Sequence, residues 1–157
     1  MGKKAWKAYV VWILLPELAG ALSGWLSRAG MEQYARELIR PPLSPPGPVF
    51  PVVWVLLYAL MGVGAARVWL RGPSKARCRG MALFLAQLGF NFFWSILFFR
   101  LQAFGLALLW LAALWVLILG MLLAFRRVDR AAGWLQLPYL LWAAFAAYLN
   151  LGVWLLN

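Results

Sequence analysis

The sequence predicts an all-α integral membrane protein, a bundle of five transmembrane helices. Hydrophobic residues make up 66% of the chain and charged residues only 12%, and a soluble domain carries roughly twice that share of charge. The apolar residues form long continuous blocks and do not alternate with polar ones, as they would in the strands of a membrane barrel. We therefore expect helices that each cross the bilayer.

The apolar blocks are five in number, and each has the roughly 20 residues that are needed to cross the hydrocarbon layer. They run over 6–26, 48–70, 80–99, 103–125 and 133–156. Because every block is needed to complete one bundle, we interpret residues 1–157 as a single domain. The basic N-terminal stretch looks like the start of a signal peptide, but the apolar run after it is too long and no clean cleavage site follows. We interpret this run as the first span.

The connections between the spans differ in composition. The longest, 27–47, leads into the run Arg40–Pro48, which contains five prolines. Proline does not continue a helix, so we expect a stiff, shaped loop. The second and fourth connections, 71–79 and 126–132, are basic turns. The third, around 100–102, is so short that the third and fourth spans should form a tight antiparallel pair.

The net charge of +11 is distributed as in a membrane protein. The basic residues sit in short connections, and no basic face or recognition motif for nucleic acid is present. One end of the bundle, the basic end, carries ten cations: Lys3, Lys4, Lys7, Arg71, Lys75, Arg77, Arg79, Arg126, Arg127 and Arg130. The opposite end, the loop end, carries four: Arg28, Arg36, Arg40 and Arg100. The positive-inside rule therefore predicts a cytoplasmic N-terminus in a bacterial cell membrane.

Several kinds of chemistry are excluded by composition. The chain has no histidine and one cysteine, Cys78, so it has no intrachain disulfide and no His-based metal site or general base. We predict no metal site, and we interpret Cys78 as a bystander thiol in a basic loop. No catalytic triad, phosphate-binding glycine loop or carboxylate pair is present. The chemistry that remains is redox chemistry of tyrosine and tryptophan.

Polar and aromatic side chains follow one face of three spans at helical spacing. They are Trp54, Tyr58 and Met61 in the second span, Gln87, Asn91, Trp94 and Phe98 in the third, and Tyr139, Trp142, Ala146 and Asn150 in the fifth. An amide facing lipid would leave its donors and acceptors unsatisfied, so we expect these faces to point inward. Where they converge they would form a cavity for a planar hydrophobic ligand. The alternative is that the aromatic residues only pack and the amides only join helices.

Glu17 is the only acidic residue well inside a spanning block. An intramembrane carboxyl group often marks a functional site. The alternatives are a neutral acid hydrogen-bonded to a neighbouring helix and a position nearer the membrane interface, and we favour a structural role. Small residues at four-residue spacing indicate close helix packing. Gly20 and Gly24 form such a pair in the first span, and Ala82 and Ala86 form one in the third. The Ala82–Ala86 pair predicts a homodimer through the third span.

Three segments carry a resemblance to a known family. They are Pro45–Trp54 continuing to Leu57–Tyr58 and Met61–Gly62, then Gln87–Ser95 with Phe98–Phe99, and finally Pro138–Trp142 with Phe145–Ala146 and Leu149–Asn150. In this order, on the second, third and fifth spans, they are similar to the TspO/MBR family of tryptophan-rich sensory proteins and translocator proteins. That family includes the mitochondrial peripheral benzodiazepine receptor. The likeness covers most of the chain from Tyr34 to Asn150.

The resemblance implies a five-helix bundle, often dimeric, with a pocket beneath the first connection. It implies a membrane receptor or sensor for porphyrins, other tetrapyrroles, sterols or benzodiazepine-site drugs, active in tetrapyrrole or stress responses. Two alternatives stay open: light-dependent oxidative degradation of protoporphyrin, and transport of a tetrapyrrole or sterol-like ligand. By motif, Tyr34 and Trp142 match the aromatic pair implicated in degradation. Pattern and resemblance together predict these ligand-binding residues: Trp54, Tyr58, Gln87, Asn91, Trp94, Tyr139, Trp142, Ala146 and Asn150.

The chain departs from the family pattern at two places. Leu43 stands where the family usually has a tryptophan in its first loop, which we expect to change the lid over the pocket. The end of the fifth span lacks the tyrosine and arginine of the sterol-recognition stretch of animal members, so we do not expect specific cholesterol binding. Haem usually needs an axial side chain, most often His, Met, Cys or Tyr. With no histidine in the chain, we expect no obligatory cofactor, and we expect metal-free porphyrin to bind at least as well as haem.

Overall fold

The computed structural model describes residues 2–157, which form seven α-helices and one short π-helical segment. In chain order they are α1 (Lys3–Leu26), α2 (Arg28–Glu37), α3 (Val49–Trp69), α4 (Lys75–Ser95), the π-helical segment (Ile96–Arg100), α5 (Phe104–Val128), α6 (Arg130–Trp134) and α7 (Leu137–Leu156). Five helices are long and apolar enough to cross a membrane. The predicted all-α, five-span architecture is therefore confirmed.

Each long helix packs mainly against one or two others. α1 lies along α3, α4 along α5, and α5 along α7, while α1 also touches α4. The first pair approaches closely because Gly62 on α3 has no side chain, and a Cβ there would overlap the α1 backbone at Trp12 and Ile13. Small residues allow such contact between membrane helices. These contacts place α1, α3, α4 and α7 around one side of the bundle.

The first connection is only partly the stiff loop that the sequence predicts. Its first half is the helix α2, and only residues 38–48, which contain the prolines, are irregular. α2 buries Gly30 and Tyr34, and a Cβ on Gly30 would overlap the Phe99 carbonyl group. Gly30 and Tyr34 are four residues apart, which is the spacing of one helix face. The proline-rich stretch that follows them made the whole connection look irregular in the sequence. α2 covers the loop end of the bundle, and we call this helix the roof.

The end of α4 widens into the π-helical segment beneath this roof. The Leu101 N–H donates to the Ile96 carbonyl at 2.9 Å, a bond that spans five residues where an α-helix spans four. Phe98 and Phe99 in this segment contact Tyr34 of α2, with ring centroids 5.8 and 5.5 Å away. π-helical turns are frequent at functional sites. Here the turn brings two consecutive aromatic rings to the same side of the bundle.

The core is packed differently at its two ends. Toward the basic end it is solid, and Met61, Ala65, Phe84, Met121 and Phe125 are fully buried. Toward the loop end the helices separate and leave a cavity under α2. The solid half holds the helices in place, and the open half offers space for a ligand.

Asp129 joins three elements at the basic end. Its carboxylate accepts hydrogen bonds from Arg67 (Nε to Oδ1, 3.1 Å) and Arg71 (Nη2 to Oδ2, 2.7 Å) of α3. It also caps α6 by accepting from the Ala132 N–H at 2.9 Å. Burial alone would raise the pKa of Asp129, but the Ala132 N–H and the two guanidinium groups together lower it to about 2. The ionised carboxylate therefore ties α3 to the turn between α5 and α7.

Replacing Asp129 should reduce stability in two steps. Asp129→Asn keeps a side-chain cap but loses the negative charge, and we expect it to lower the free energy of unfolding by about 1–2 kcal/mol, since both arginines are partly exposed. Asp129→Ala also loses the cap, which should cost about 1 kcal/mol more. Unfolding in detergent followed by circular dichroism measures both values. Equal stability of the two variants and the wild type would contradict this role.

The same ion pair predicts a pH dependence. Because the folded-state pKa of Asp129 lies below its ordinary value of about 3.9, its stabilisation is present above that pH and is lost as the pH falls toward 2. The wild type should therefore lose stability over this interval. Asp129→Asn should lose less stability over the same interval. The two losses should differ by about the difference in free energy of unfolding between the two proteins at pH 7. Parallel curves for the two proteins would show that Asp129 is not the titrating group.

Candidate ligand-binding site

A cavity of about 500 Å³ lies under α2, between α1, α3, α4 and α7. Its volume falls within the range of about 300–1,000 Å³ that is usual for small-molecule sites. Its wall is mostly apolar and rich in aromatic rings: Tyr34, Phe50, Trp54, Tyr58, Trp94, Phe98, Phe99 and Trp142. Glu17 and Arg40 are the charged residues on this wall. The cavity therefore suits a hydrophobic ligand with few polar groups.

One side of the cavity is formed by four aromatic side chains from α3 and α7. Trp54 stacks on Tyr58, with ring centroids 5.5 Å apart and planes 29° from parallel. Trp142 meets Trp54 edge to face at 6.5 Å and 88°, and Phe50 supports Trp142 at 6.0 Å. Offset and edge-to-face arrangements are the favourable ones for aromatic pairs. The rings hold one another in position and present faces to the cavity.

The facing side is formed by α4 and the π-helical segment. Trp94 stacks on Phe98 at 5.3 Å and 24°. The Trp94 indole N–H donates to Asn150 Oδ1 at 3.1 Å, and Asn150 Nδ2 donates to the Phe104 carbonyl at 2.8 Å. Asn150 therefore fixes the orientation of the Trp94 ring. Ala146, one turn before Asn150 on α7, leaves room between these walls because its side chain is small.

A chain of buried hydrogen bonds lies beneath the cavity and connects α3, α4 and α7. The Tyr58 hydroxyl donates to Asn91 Oδ1 at 2.8 Å. Asn91 Nδ2 donates to the Tyr139 hydroxyl at 2.8 Å, and that hydroxyl donates to Gln87 Oε1 at 2.7 Å. Gln87 and Tyr139 are fully buried, and Asn91 is 5% exposed. We call this set of hydrogen bonds among Tyr58, Asn91, Tyr139 and Gln87 the floor network. It joins the three helices that carry the aromatic walls.

The structure brings together six of the nine predicted ligand-binding residues on the cavity wall. They are Trp54, Tyr58, Trp94, Trp142, Ala146 and Asn150. Gln87, Asn91 and Tyr139 are not on the wall and belong to the floor network instead. The rows of polar and aromatic residues extend along the helices beyond the inner end of the cavity. The polar residues beyond that point therefore form hydrogen bonds with one another. Spacing along a helix identifies the inward face but not the depth at which the space ends.

The two residues predicted for catalysis, Tyr34 and Trp142, both line the cavity. Tyr34 reaches it from the roof and Trp142 from α7. Burial raises the pKa of the Tyr34 phenol, and the charge of Arg40 and a hydrogen bond with Ser44 lower it in part. The phenol therefore keeps its proton at neutral pH. The arrangement places one phenol and one indole against the same ligand volume.

The two pairs of small residues that the sequence suggests as helix-packing sites differ in what surrounds them. Gly20 packs as predicted, because a Cβ there would overlap the Tyr58 ring. Gly24, one turn along α1, lines the cavity and has open space where a Cβ would stand. The third-span pair, Ala82 and Ala86, is exposed on the outer face of α4. That face is available for contact with another helix.

Some wall residues were missed by sequence reasoning. Phe50 and Met31 carry no spacing signal, and Phe99 reaches the wall through the π-helical segment. The glycine spacing of α1 could have indicated Gly24. Leu43, which replaces the usual loop tryptophan, is 81% exposed, has a positive φ of 69° and is not on the cavity wall. The cover over the cavity is provided by α2 and Arg40.

The hydrogen bond to a neighbouring helix that the sequence suggests for Glu17 is absent from residues 2–157. Glu17 lines the cavity, and its Oε1 atom is buried without a hydrogen-bond partner among residues 2–157. The Tyr58 hydroxyl, which also lines the cavity, donates its proton to Asn91. Cys78 is exposed, as expected, but it lies in the first turn of α4 and not in a loop, because α4 begins at Lys75.

Comparison with known proteins agrees with this architecture. The model of the TspO/MBR family matches residues 12–155. The translocator protein of Bos taurus is 34% identical over 151 residues, which are 95% of this chain and 89% of that protein. The tryptophan-rich protein TspO of Chlorobaculum tepidum is 39% identical over 79% of both chains. The tryptophan-rich sensory protein of Cereibacter sphaeroides is 36% identical over 80% of this chain and 78% of its own. A match of this extent, on a five-span helical bundle, shows that the chain belongs to the TspO/MBR family.

Proposed function

We propose that the protein is a membrane receptor or sensor that binds planar tetrapyrroles, chiefly porphyrins, in the cavity under α2. The observation that carries this proposal is the pair of aromatic walls that face one volume of about 500 Å³. Relatives named translocator protein and tryptophan-rich sensory protein support a receptor or sensor role. A tetrapyrrole offers a large flat apolar surface, which stacks favourably on indole and phenyl rings.

The charge at the mouth of the cavity supports the same ligand class. Arg40 lies between α2 and α3 at the loop end and contributes to the cavity wall. Natural porphyrins carry carboxylate side chains, and guanidinium–carboxylate pairs are strong and directional. The ring would lie between Trp142 and Trp94, with its carboxylates at the mouth beside Arg40.

A titration with protoporphyrin tests this proposal. Purified protein in detergent should bind one porphyrin per chain, with saturable changes in porphyrin absorbance and quenching of tryptophan fluorescence. Trp142→Leu should weaken binding about tenfold, which corresponds to about 1.4 kcal/mol. Trp134→Leu is the matched control, because Trp134 is exposed at the basic end. Non-saturable uptake, or equal losses in both variants, would reject the cavity as the binding site.

Metal-free protoporphyrin should bind at least as tightly as haem. The chain has no histidine, and Cys78 lies at the basic end, away from the cavity. Met31, Tyr34 and Tyr58 are the side chains of axial-ligand type on the wall. Tyr34 is held as a protonated phenol, and the Tyr58 hydroxyl donates its proton to Asn91. Parallel titrations with both pigments measure the difference. Much tighter haem binding, with a spectrum that changes in Met31→Leu or Tyr34→Phe, would contradict this expectation.

The second candidate function is light-dependent oxidative breakdown of protoporphyrin. The observation that favours it is the presence of Tyr34 and Trp142, two oxidisable side chains, on the same cavity wall. Either side chain would give an electron to the photoexcited porphyrin, which would pass it to dioxygen. The resulting superoxide would add across a methine C=C bond of the ring, one electron would return to the side-chain radical, and the bond would break into two carbonyl groups that hold both oxygen atoms. Illumination of the complex in air should then give a new pigment spectrum that Trp142→Phe suppresses. A reaction that does not depend on the protein, or that is unchanged in this variant, would reject it.

Transport is supported less well by the structure. A carrier needs access to its site from both sides of the membrane. The cavity lies at the loop end, and fully buried Met61, Phe84 and Phe125 fill the core toward the basic end. Passage would require these side chains to separate.

We propose that the basic end faces the cytoplasm of a bacterial cell. Eleven of the fifteen Lys and Arg residues lie there, because Arg67 of α3 joins the ten counted from the sequence. This excess is what the positive-inside rule requires. Cys78 gives a direct test, since it is the only cysteine and is exposed at that end. A maleimide that cannot cross the membrane should label Cys78 in lysed cells and not in intact ones. Equal labelling would reverse the orientation.

We also propose that two copies associate through α4. Ala82 and Ala86 lie one turn apart on its exposed face, and small residues permit close contact between membrane helices. Ala86→Phe should shift a dimer to monomer in light scattering of the detergent complex. Ala144→Phe, on the exposed face of α7, is the control. A wild-type monomer, or a dimer that persists in Ala86→Phe, would reject this interface.

A further inference from the structure

Glu17 occupies a specific depth in the cavity. It shares one face of α1 with Gly20, Ala21 and Gly24, and all four line the cavity. Nine residues separate Glu17 from the end of α1 at Leu26, a rise of about 14 Å at 1.5 Å per residue. Gly20, three residues away, touches the Tyr58 ring. The carboxyl group therefore lies at the inner end of the cavity, opposite the mouth.

The protein supplies no partner for this carboxyl group. Its Oε1 atom is buried and makes no hydrogen bond to any residue from 2 to 157. The donors of the floor network are already used, since Tyr58 donates to Asn91 and Asn91 donates to Tyr139. A buried polar group without a partner costs about 1–3 kcal/mol, and an unpaired charge costs more. The buried Oε1 atom of Glu17 is thus a free acceptor that a molecule inside the cavity can satisfy.

We propose that Glu17 is a recognition residue that selects planar ligands with a cationic or N–H-donating nitrogen at their inner edge. The inference rests on the proposed function of the cavity as a site for planar ligands. A nitrogen donor next to Glu17 would form a charge-assisted hydrogen bond, which is roughly twice as strong as a neutral one. Hydrocarbon ligands of the same shape would leave the carboxyl group unsatisfied. The site therefore distinguishes ligands by chemistry as well as by flatness.

The positions of the two charged residues define an orientation for such a ligand. Arg40 lies at the mouth and Glu17 at the inner end. A ligand with a carboxylate at one edge and a nitrogen donor away from it would pair with both. The reversed ligand would place like charges together, which is unfavourable on each side.

Two fluorescent probes of similar size test the selection. 9-Aminoacridine is a planar cation with an N–H donor, and 9-methylanthracene is planar and uncharged. Glu17→Gln should weaken binding of 9-aminoacridine about tenfold or more, and it should change binding of 9-methylanthracene by less than about twofold. Glu17→Asp, which keeps the carboxylate, should recover part of the loss. Glu32→Gln makes the same change in charge on the exposed face of α2 and should leave both probes unaffected.

The outcomes separate this inference from the function on which it rests. Equal loss of both probes in Glu17→Gln, or no loss of 9-aminoacridine, overturns the role of Glu17. If the role of Glu17 is overturned but protoporphyrin binds the wild type, the proposed function of the cavity remains supported and only the selection by Glu17 fails. If protoporphyrin does not bind but 9-aminoacridine binds in a Glu17-dependent way, the tetrapyrrole function fails and the selection stands. Binding of neither probe to the wild type overturns the inference as well.

Discussion

Gly24→Leu should abolish porphyrin binding without harming the fold. Gly24 lies on the cavity wall, and an added Cβ would meet no atom within 4 Å, so a leucine there would occupy the space of the ligand. Leucine also favours a helix over glycine by about 0.8–1 kcal/mol. We expect the affinity for protoporphyrin to fall at least about a hundredfold, or about 2.7 kcal/mol, with unchanged or increased thermal stability. Titration and thermal unfolding in the same detergent measure the two effects.

Two variants make this prediction specific. Gly20→Leu adds the same side chain one turn earlier on α1, where it would overlap the Tyr58 ring, and should lower stability by about 1–3 kcal/mol. Ala144→Leu adds bulk on the exposed face of α7 and should change neither property. Wild-type porphyrin affinity in Gly24→Leu would place the ligand outside the cavity. Unfolding of Gly24→Leu would show that the space beside α1 is not open.

Tyr139→Phe should be the most destabilising single-atom change in the bundle. The Tyr139 hydroxyl accepts from Asn91 and donates to Gln87, and Tyr139 and Gln87 are fully buried. Without it, two amide groups lose a partner at a depth that water does not reach. Hydrogen bonds between membrane helices average about 0.6 kcal/mol, but orphaned buried groups cost about 1–3 kcal/mol. We expect a loss of about 2 kcal/mol in the free energy of unfolding.

Comparison among tyrosines isolates this effect. Tyr58→Phe removes one bond of the same network, at the boundary with the cavity, and should cost about half as much. Tyr148→Phe removes a bond to the Pro42 carbonyl from an exposed side chain and should cost less than about 0.5 kcal/mol. Denaturant unfolding of the three variants in one detergent gives the order. The network would have no special importance if Tyr148→Phe lost as much stability as Tyr139→Phe.

The fold was predictable because its signal is long and repeated. A run of twenty apolar residues admits few structures in a bilayer, since each backbone group must be bonded within the segment. The inward orientation of Gln87, Asn91 and Asn150 followed for the same reason, and all three are buried. α2 was missed because its pattern is short and lies beside a proline-rich stretch whose signal is stronger.

The site was only partly predictable, because depth is a tertiary property. Helical spacing placed Trp142 and Tyr139 on one face, but it could not show that one borders the cavity and the other belongs to the floor. The position of Phe99 depends on a π-helical turn that single-residue propensities do not encode. Glu17 was noticed as an unusual acid. Its position on the cavity wall and its lack of a hydrogen-bond partner depend on the packing of the other helices, which the sequence pattern does not encode.

An experimental structure of the complex with protoporphyrin tests the central claim most directly. We expect one porphyrin under α2, with its ring against Trp54, Trp94 and Trp142 and its carboxylates toward Arg40. The floor network from Tyr58 to Gln87 should be unchanged, because it lies beneath the ligand. A porphyrin bound on the outer face of α4 or along the lipid-facing surface, with the cavity left empty, would show that the cavity is not the binding site.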